Sequence, residues 1–112
     1  MTPTELETLA RRVETEEPTN ELRALVLTAF GSEAEPHNAP DPLRSVDDAI
    51  AGMPEGWSCL AIYQSRESRW AVALGRRQPP IDEVLSVAPT EPRARTAAAL
   101  MALVVDARGA GA

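Results

Sequence analysis

Cysteine occurs once in the 112 residues, at Cys59, so the chain has no intramolecular disulfide and no cysteine-based zinc cluster. A reducing cytoplasm is the expected compartment. Aromatics make up only 4%, and Trp57, Trp70, Tyr63 and Phe30 are the sole large rings, which implies a core of small, closely approaching elements. No apolar run is long enough to cross a bilayer; the longest, residues 97–105, falls well short of the roughly 20 residues needed. The N-terminal Met1-Thr2-Pro3-Thr4-Glu5 has neither a basic start nor an apolar stretch, so neither a signal peptide nor a lipid anchor is expected. Lysine is missing altogether: all 11 basic residues are arginine, a bias that the codon usage of a GC-rich genome explains without selection at any site.

What is present suffices for one domain. A hydrophobic fraction of 44% can build a core without a metal or a staple, and the length fits a single unit over residues 1–112. The net charge of -6 is unevenly spread. Residues 1–56 carry twelve Asp/Glu against four Arg, and residues 57–112 carry five against seven, giving halves of -8 and +2. Overall acidity disfavours non-specific nucleic-acid binding while leaving room for a local basic patch.

The local patterns predict an order of elements. Thr4-Glu5-Leu6-Glu7 reads as a capping box opening a first helix with Leu6, Leu9 and Val13 on one stripe, which closes before Pro18. Thr19 caps a second helix carrying Leu22, Leu25, Val26, Ala29 and Phe30, with Gly31 as its stop. Pro36, Pro40 and Pro42 make residues 32–44 a linker or a long ordered loop. Ser45 opens a short third helix that Gly52 and Pro54 close. Strands are expected over 57–64, 69–76 and 83–88, the first two joined by a hairpin at 65–68. Thr90 caps a last helix, small and apolar on nearly every side from Arg93 to Ala107, which must be largely covered; residues 108–112 are expected to fray. The fold class is therefore α+β: a three-stranded antiparallel sheet packed with a C-terminal helix and N-terminal helices.

Read with its junction residues, this order resembles the phage ABA sandwich domain, a family of small phage and prophage proteins. The residues that carry the resemblance span roughly 19 to 104. They are Leu22-Arg23-Ala24-Leu25-Val26, Ser45 with Asp48-Ala49, Pro54-Glu55-Gly56-Trp57, Trp70, and Ala88-Pro89-Thr90 leading into Ala94, Ala97, Ala98 and Ala99. The resemblance implies a phage or prophage setting. The family brings no established activity and no catalytic residues.

Candidate chemistry is sparse. His37, flanked by Glu35 and near Asp41, has no nucleophile beside it, and a loop histidine of this kind is usually solvated. Cys59 lies inside a strand with no helix end or adjacent His to activate it and is expected to be buried. Asp47, Asp48 and Glu55 surround the short helix and could do acid/base work or hold Mg²⁺, although helix starts attract Asp for their own reasons. Trp57 and Trp70, on neighbouring strands, are aromatic anchors or a ligand shelf. Arg66 and Arg69 are expected at one end of the hairpin and Arg76 and Arg77 at the other; with Arg93 and Arg95 they form a candidate basic face.

That face matters because α-β-β-β-α order also resembles the double-stranded-RNA-binding domain. In that family the last helix opens with adjacent lysines, where this chain has Thr90-Glu91-Pro92-Arg93-Ala94-Arg95. The expected function is a non-enzymatic accessory protein acting by protein–protein contact or self-association, with no cofactor and no membrane. An RNA-binding module on the Arg face is the alternative, and a small carboxylate-dependent enzyme the third.

Overall fold

The computed structural model describes residues 1–31, 39–76 and 81–110. Helices α1 (Pro3–Thr15), α2 (Asn20–Ala29) and α3 (Val46–Ala51) precede strands β1 (Trp57–Gln64), β2 (Trp70–Arg76) and β3 (Asp82–Ala88), and α4 (Glu91–Ala110) ends the chain. The α+β class and the order of elements are those the sequence predicts. The capping residues show why the helices start where they do. Thr19 accepts from the Leu22 amide and Ser45 from the Asp48 amide, each relieving an orphan donor of a first turn.

The first helix corrects the expected start. Its capping box is Thr2 with Glu5, two residues before the Thr4 and Glu7 pair. Pro3 decides between the overlapping boxes, because its fixed φ suits the first helical position and it has no amide to satisfy there. Glu7, released from a capping role, pairs instead with Arg108 at 2.9 Å and with Arg11 at 3.4 Å. Helix α4 runs to Ala110, and residues 111 and 112 of the expected tail lie outside the described residues.

Arg108, and then Arg11, hold the Glu7 carboxyl below its ordinary value of 4.5. A carboxyl whose pKa is lower folded than unfolded adds stability that is complete above the unfolded value and disappears as pH falls through the folded one. Glu7→Gln should therefore lower stability at neutral pH and match the parent chain in strong acid. Urea midpoints across an acid series check this; a constant offset at every pH contradicts it.

The three strands lie in the order β1-β2-β3, antiparallel throughout. The hairpin between β1 and β2 closes with the Ser65 amide donating to the Arg69 carbonyl and the Ser68 amide to the Ser65 carbonyl. Ser68 takes φ 61°, the left-handed position that ends a three-residue hairpin loop. One bulge interrupts β1: Cys59 pairs with Leu74 and Ala61 with Ala73, leaving Leu60 as the extra residue.

Helix α4 is the middle layer. Ala97, Leu100 and Val104 join Leu6, Leu9, Val13, Leu22 and Val26 in a core under α1 and α2. Ala94, Ala98, Ala99 and Ala102 join Trp57, Val72, Leu74 and Val84 in a second core against the sheet. Alanines on that side let the helix approach the strands closely. Of the expected linker or ordered loop over 32–44, residues 32–38 lie outside the described residues, and 39–44 form a packed connection: Leu43 is buried, Thr96 donates to the Pro42 carbonyl at 2.7 Å, and Arg23 donates to the carbonyls of Ala39 and Pro40.

Candidate interaction surface

Among the described residues the candidate arginines do not form one basic face. Arg93 is only 6% exposed; its Nε donates to the Val13 carbonyl at 2.9 Å and its guanidinium also reaches the Glu16 carbonyl. It thus binds the carbonyl end of α1, where helical donors run out. Burial pushes its pKa down from the ordinary arginine value. Arg95 pairs with Glu91 at 3.1 Å within α4. Arg76 bridges Asp82 and Asp106, the latter at 2.6 Å, with its guanidinium 5.2 Å from the Trp57 ring centroid. Arg66 and Arg69 are exposed at the hairpin, the end opposite Arg76 as expected. Arg77 and His37 lie outside the described residues.

The two tryptophans are not a shelf. Trp57 pairs with Arg76 and Trp70 with Gln64, so they stand at opposite ends of the β1–β2 ladder, both packed in the core between sheet and α4. Trp57 is buried, and its Nε1 donates to the Asp106 carboxylate at 3.2 Å. Cys59 is exposed, contrary to the expectation of burial, because β1 is an edge strand and Cys59 lies at its open side.

Asp41 and Asp48 serve the backbone and one arginine. Asp48 accepts from the Asp41 amide at 2.8 Å, and Asp41 in turn pairs with Arg44, so both serve the 41–45 turn. Among the described residues no three of His, Cys, Asp or Glu converge as a metal site. A cavity of about 350 Å³ between α2, α3 and α4 is lined by Phe30, Pro42, Met53 and Leu103, with Asp48 its one ionisable lining residue among those described. Its carboxylate is already engaged by the backbone.

The sheet carries the feature that sequence reasoning missed. Trp70, Val72 and Leu74 of β2 face α4, so the alternating Ala71, Ala73 and Gly75 face the other way. On that outer side Ala61 and Tyr63 of β1, and Leu85 and Val87 of β3, flank them in register. Leu60 lies over Gly75, where an added Cβ would stand 2.4 Å from its Cδ1. Helices α1 and α2 pack on α4, and Tyr63 and Leu85 remain 54% and 57% exposed. The result is a shallow apolar trough, floored by small residues and walled by Leu60, Tyr63, Leu85 and Val87. The signal for it was the run Ala71-Val72-Ala73-Leu74-Gly75, apolar on both faces of one strand, which reads as a fully buried strand.

The two sheet edges also differ. Along β3 the Glu14 carboxylate accepts from the Val87 amide at 3.2 Å, and Asp82 and Glu83 place charge on the strand. β1, by contrast, holds neither charge nor proline over its 8 residues. Comparison with family models, with curated proteins and with solved structures gives no match.

Proposed function

We propose that this protein works without catalysis, by binding another polypeptide through the outer face of its sheet. The observation that carries the reading is the set of exposed apolar side chains Leu60, Tyr63 and Leu85 standing around the buried Ala71, Ala73 and Gly75, because contiguous apolar surface exposed on a small domain marks an interaction site. An exposed free Cys59 fits a reducing cytoplasm. The phage or prophage setting implied by the family resemblance makes the role that of an accessory protein. RNA binding is the weaker reading, since Arg76, Arg93 and Arg95 are committed to internal partners.

Leu85→Glu tests the proposal, and its exposed position should leave the fold intact. A partner cross-linked to the native protein in host extract, then purified, should bind the variant about 10- to 100-fold more weakly, the equivalent of one buried leucine. Equal affinity for the parent chain and the variant would refute the outer face as the binding surface.

A further inference from the structure

We infer that the open edge of β1 pairs antiparallel with β1 of a second copy, joining two three-stranded sheets into one of six strands. The proposal uses a different surface from the trough, and rests first on the asymmetry of the edges. β3 is guarded by Glu14, Asp82 and Glu83, whereas Trp57–Gln64 has no charge and no proline to discourage pairing.

The bulge sets the register. The Ser65–Arg69 bond that closes the hairpin fixes the alternation along the ladder, so Tyr63 and Ala61 bond to β2, while Gln64 and Ile62 turn their amides and carbonyls outward. Beyond Leu60 the phase shifts by one residue: Cys59 and Trp57, opposite Leu74 and Arg76, now point outward. A regular strand of 8 residues cannot lie fully against its own symmetry copy, because full overlap would oppose an outward residue to an inward one. The single bulge removes that conflict. Full overlap now sets Cys59 against Ile62 of the second copy and Trp57 against Gln64, outward groups in every case. Trp57 offers only its carbonyl, since its amide already bonds the Pro54 carbonyl at 3.2 Å. About six backbone bonds between copies follow.

Charge agrees with this register. Glu55, in the turn entering β1, comes beside Arg66 of the second copy, in the turn leaving its β1, and the two-fold axis repeats the contact. Both are exposed, and neither is in an ion pair among the described residues. Two complementary pairs offset the repulsion between acidic chains and reject a parallel arrangement, which would bring like ends together.

Sedimentation equilibrium of the full chain over a wide concentration range tests the inference. A reversible dimer is expected, with Glu55→Arg and Arg66→Glu each weakening it about tenfold, as two surface attractions become repulsions, and with the double variant recovering the parent affinity. Circular dichroism confirms that the variants fold. A separate chain carrying Cys59→Ser, Ser58→Cys and Tyr63→Cys should oxidise to a covalent dimer, because Ser58 and Tyr63 of two copies face each other as a non-hydrogen-bonded pair about 4.5 Å apart at Cα. Leu85→Glu, on the far strand, should leave the dimer unchanged, which separates this inference from the trough reading. A chain that stays monomeric into the millimolar range, or a dimer indifferent to the charge swap, overturns it.

Discussion

Replacing Arg93 by alanine should destabilise the protein by about 3 kcal/mol, although no local pattern marks this residue as structural. The side chain is 6% exposed and donates to the carbonyls of Val13, in the last turn of α1, and Glu16, its C-cap. A hydrogen bond from a charged donor contributes about 1.5–3 kcal/mol, and its removal also leaves carbonyl oxygens without partners. The cost of burying the guanidinium offsets part of this and keeps the net figure near the value for one strong bond. Arg93→Lys should recover less than half the loss, because a single ammonium cannot reproduce the guanidinium fork that reaches both carbonyls. Denaturant midpoints at unchanged slope provide the measurement. A loss under about 0.5 kcal/mol, the range of an ordinary surface change, would show that α1 and α4 dock without this contact.

A second large effect is expected at Trp57. Trp57→Ala should cost about 4 kcal/mol, in the range for a buried aromatic truncated in a packed core. Three contributions are lost together: packing against the alanine side of α4, the Nε1 bond to Asp106, and the stacking of Arg76 at 5.2 Å. Trp57→Phe separates them. It keeps a ring under the guanidinium but gives up the donor to Asp106, so its cost should be about 1–2 kcal/mol. A phenylalanine variant as unstable as the alanine one would mean that the Asp106 bond, rather than ring packing, holds the end of the sheet to α4. Stability from thermal or urea unfolding of both variants decides the point.

The elements were legible because their signals are local. Thr19, Ser45 and the hairpin residues each act within a turn of the chain, and the structure uses each of them. The apolar girth of α4 announced that it would be covered, and it became the central layer. Of what failed, one part was local and one depended on strand order. Thr2 and Thr4 both begin plausible capping boxes, and only the position of Pro3 selects the first. Cys59 has the surroundings of a buried strand in sequence, yet strand order makes β1 an edge and exposes it.

The candidate site was read less well because its contacts are distant in sequence. Arg93 and Arg95 follow a helix cap and look solvated, but Arg93 meets residues 77 and 80 positions away. Arg76 likewise meets Asp106 thirty positions on. Positive charge in the sequence therefore overstated positive surface in the fold. The apolar trough was hidden by the opposite effect: Ala71, Ala73 and Gly75 look like interior residues and are buried, while Leu60, Tyr63 and Leu85 around them are exposed.

Methyl NMR of the labelled chain, alone and in extract of its native host, tests the central claim that function resides on the outer face of the sheet. The methyl signals of Leu60, Ala71, Ala73, Leu85 and Val87 should shift or broaden in extract, while those of Leu100 and Val104 in the interior stay in place. Perturbation confined to residues near Arg66, Arg69 and Arg95, with the trough methyls unmoved, would contradict the claim and return the function to the basic residues.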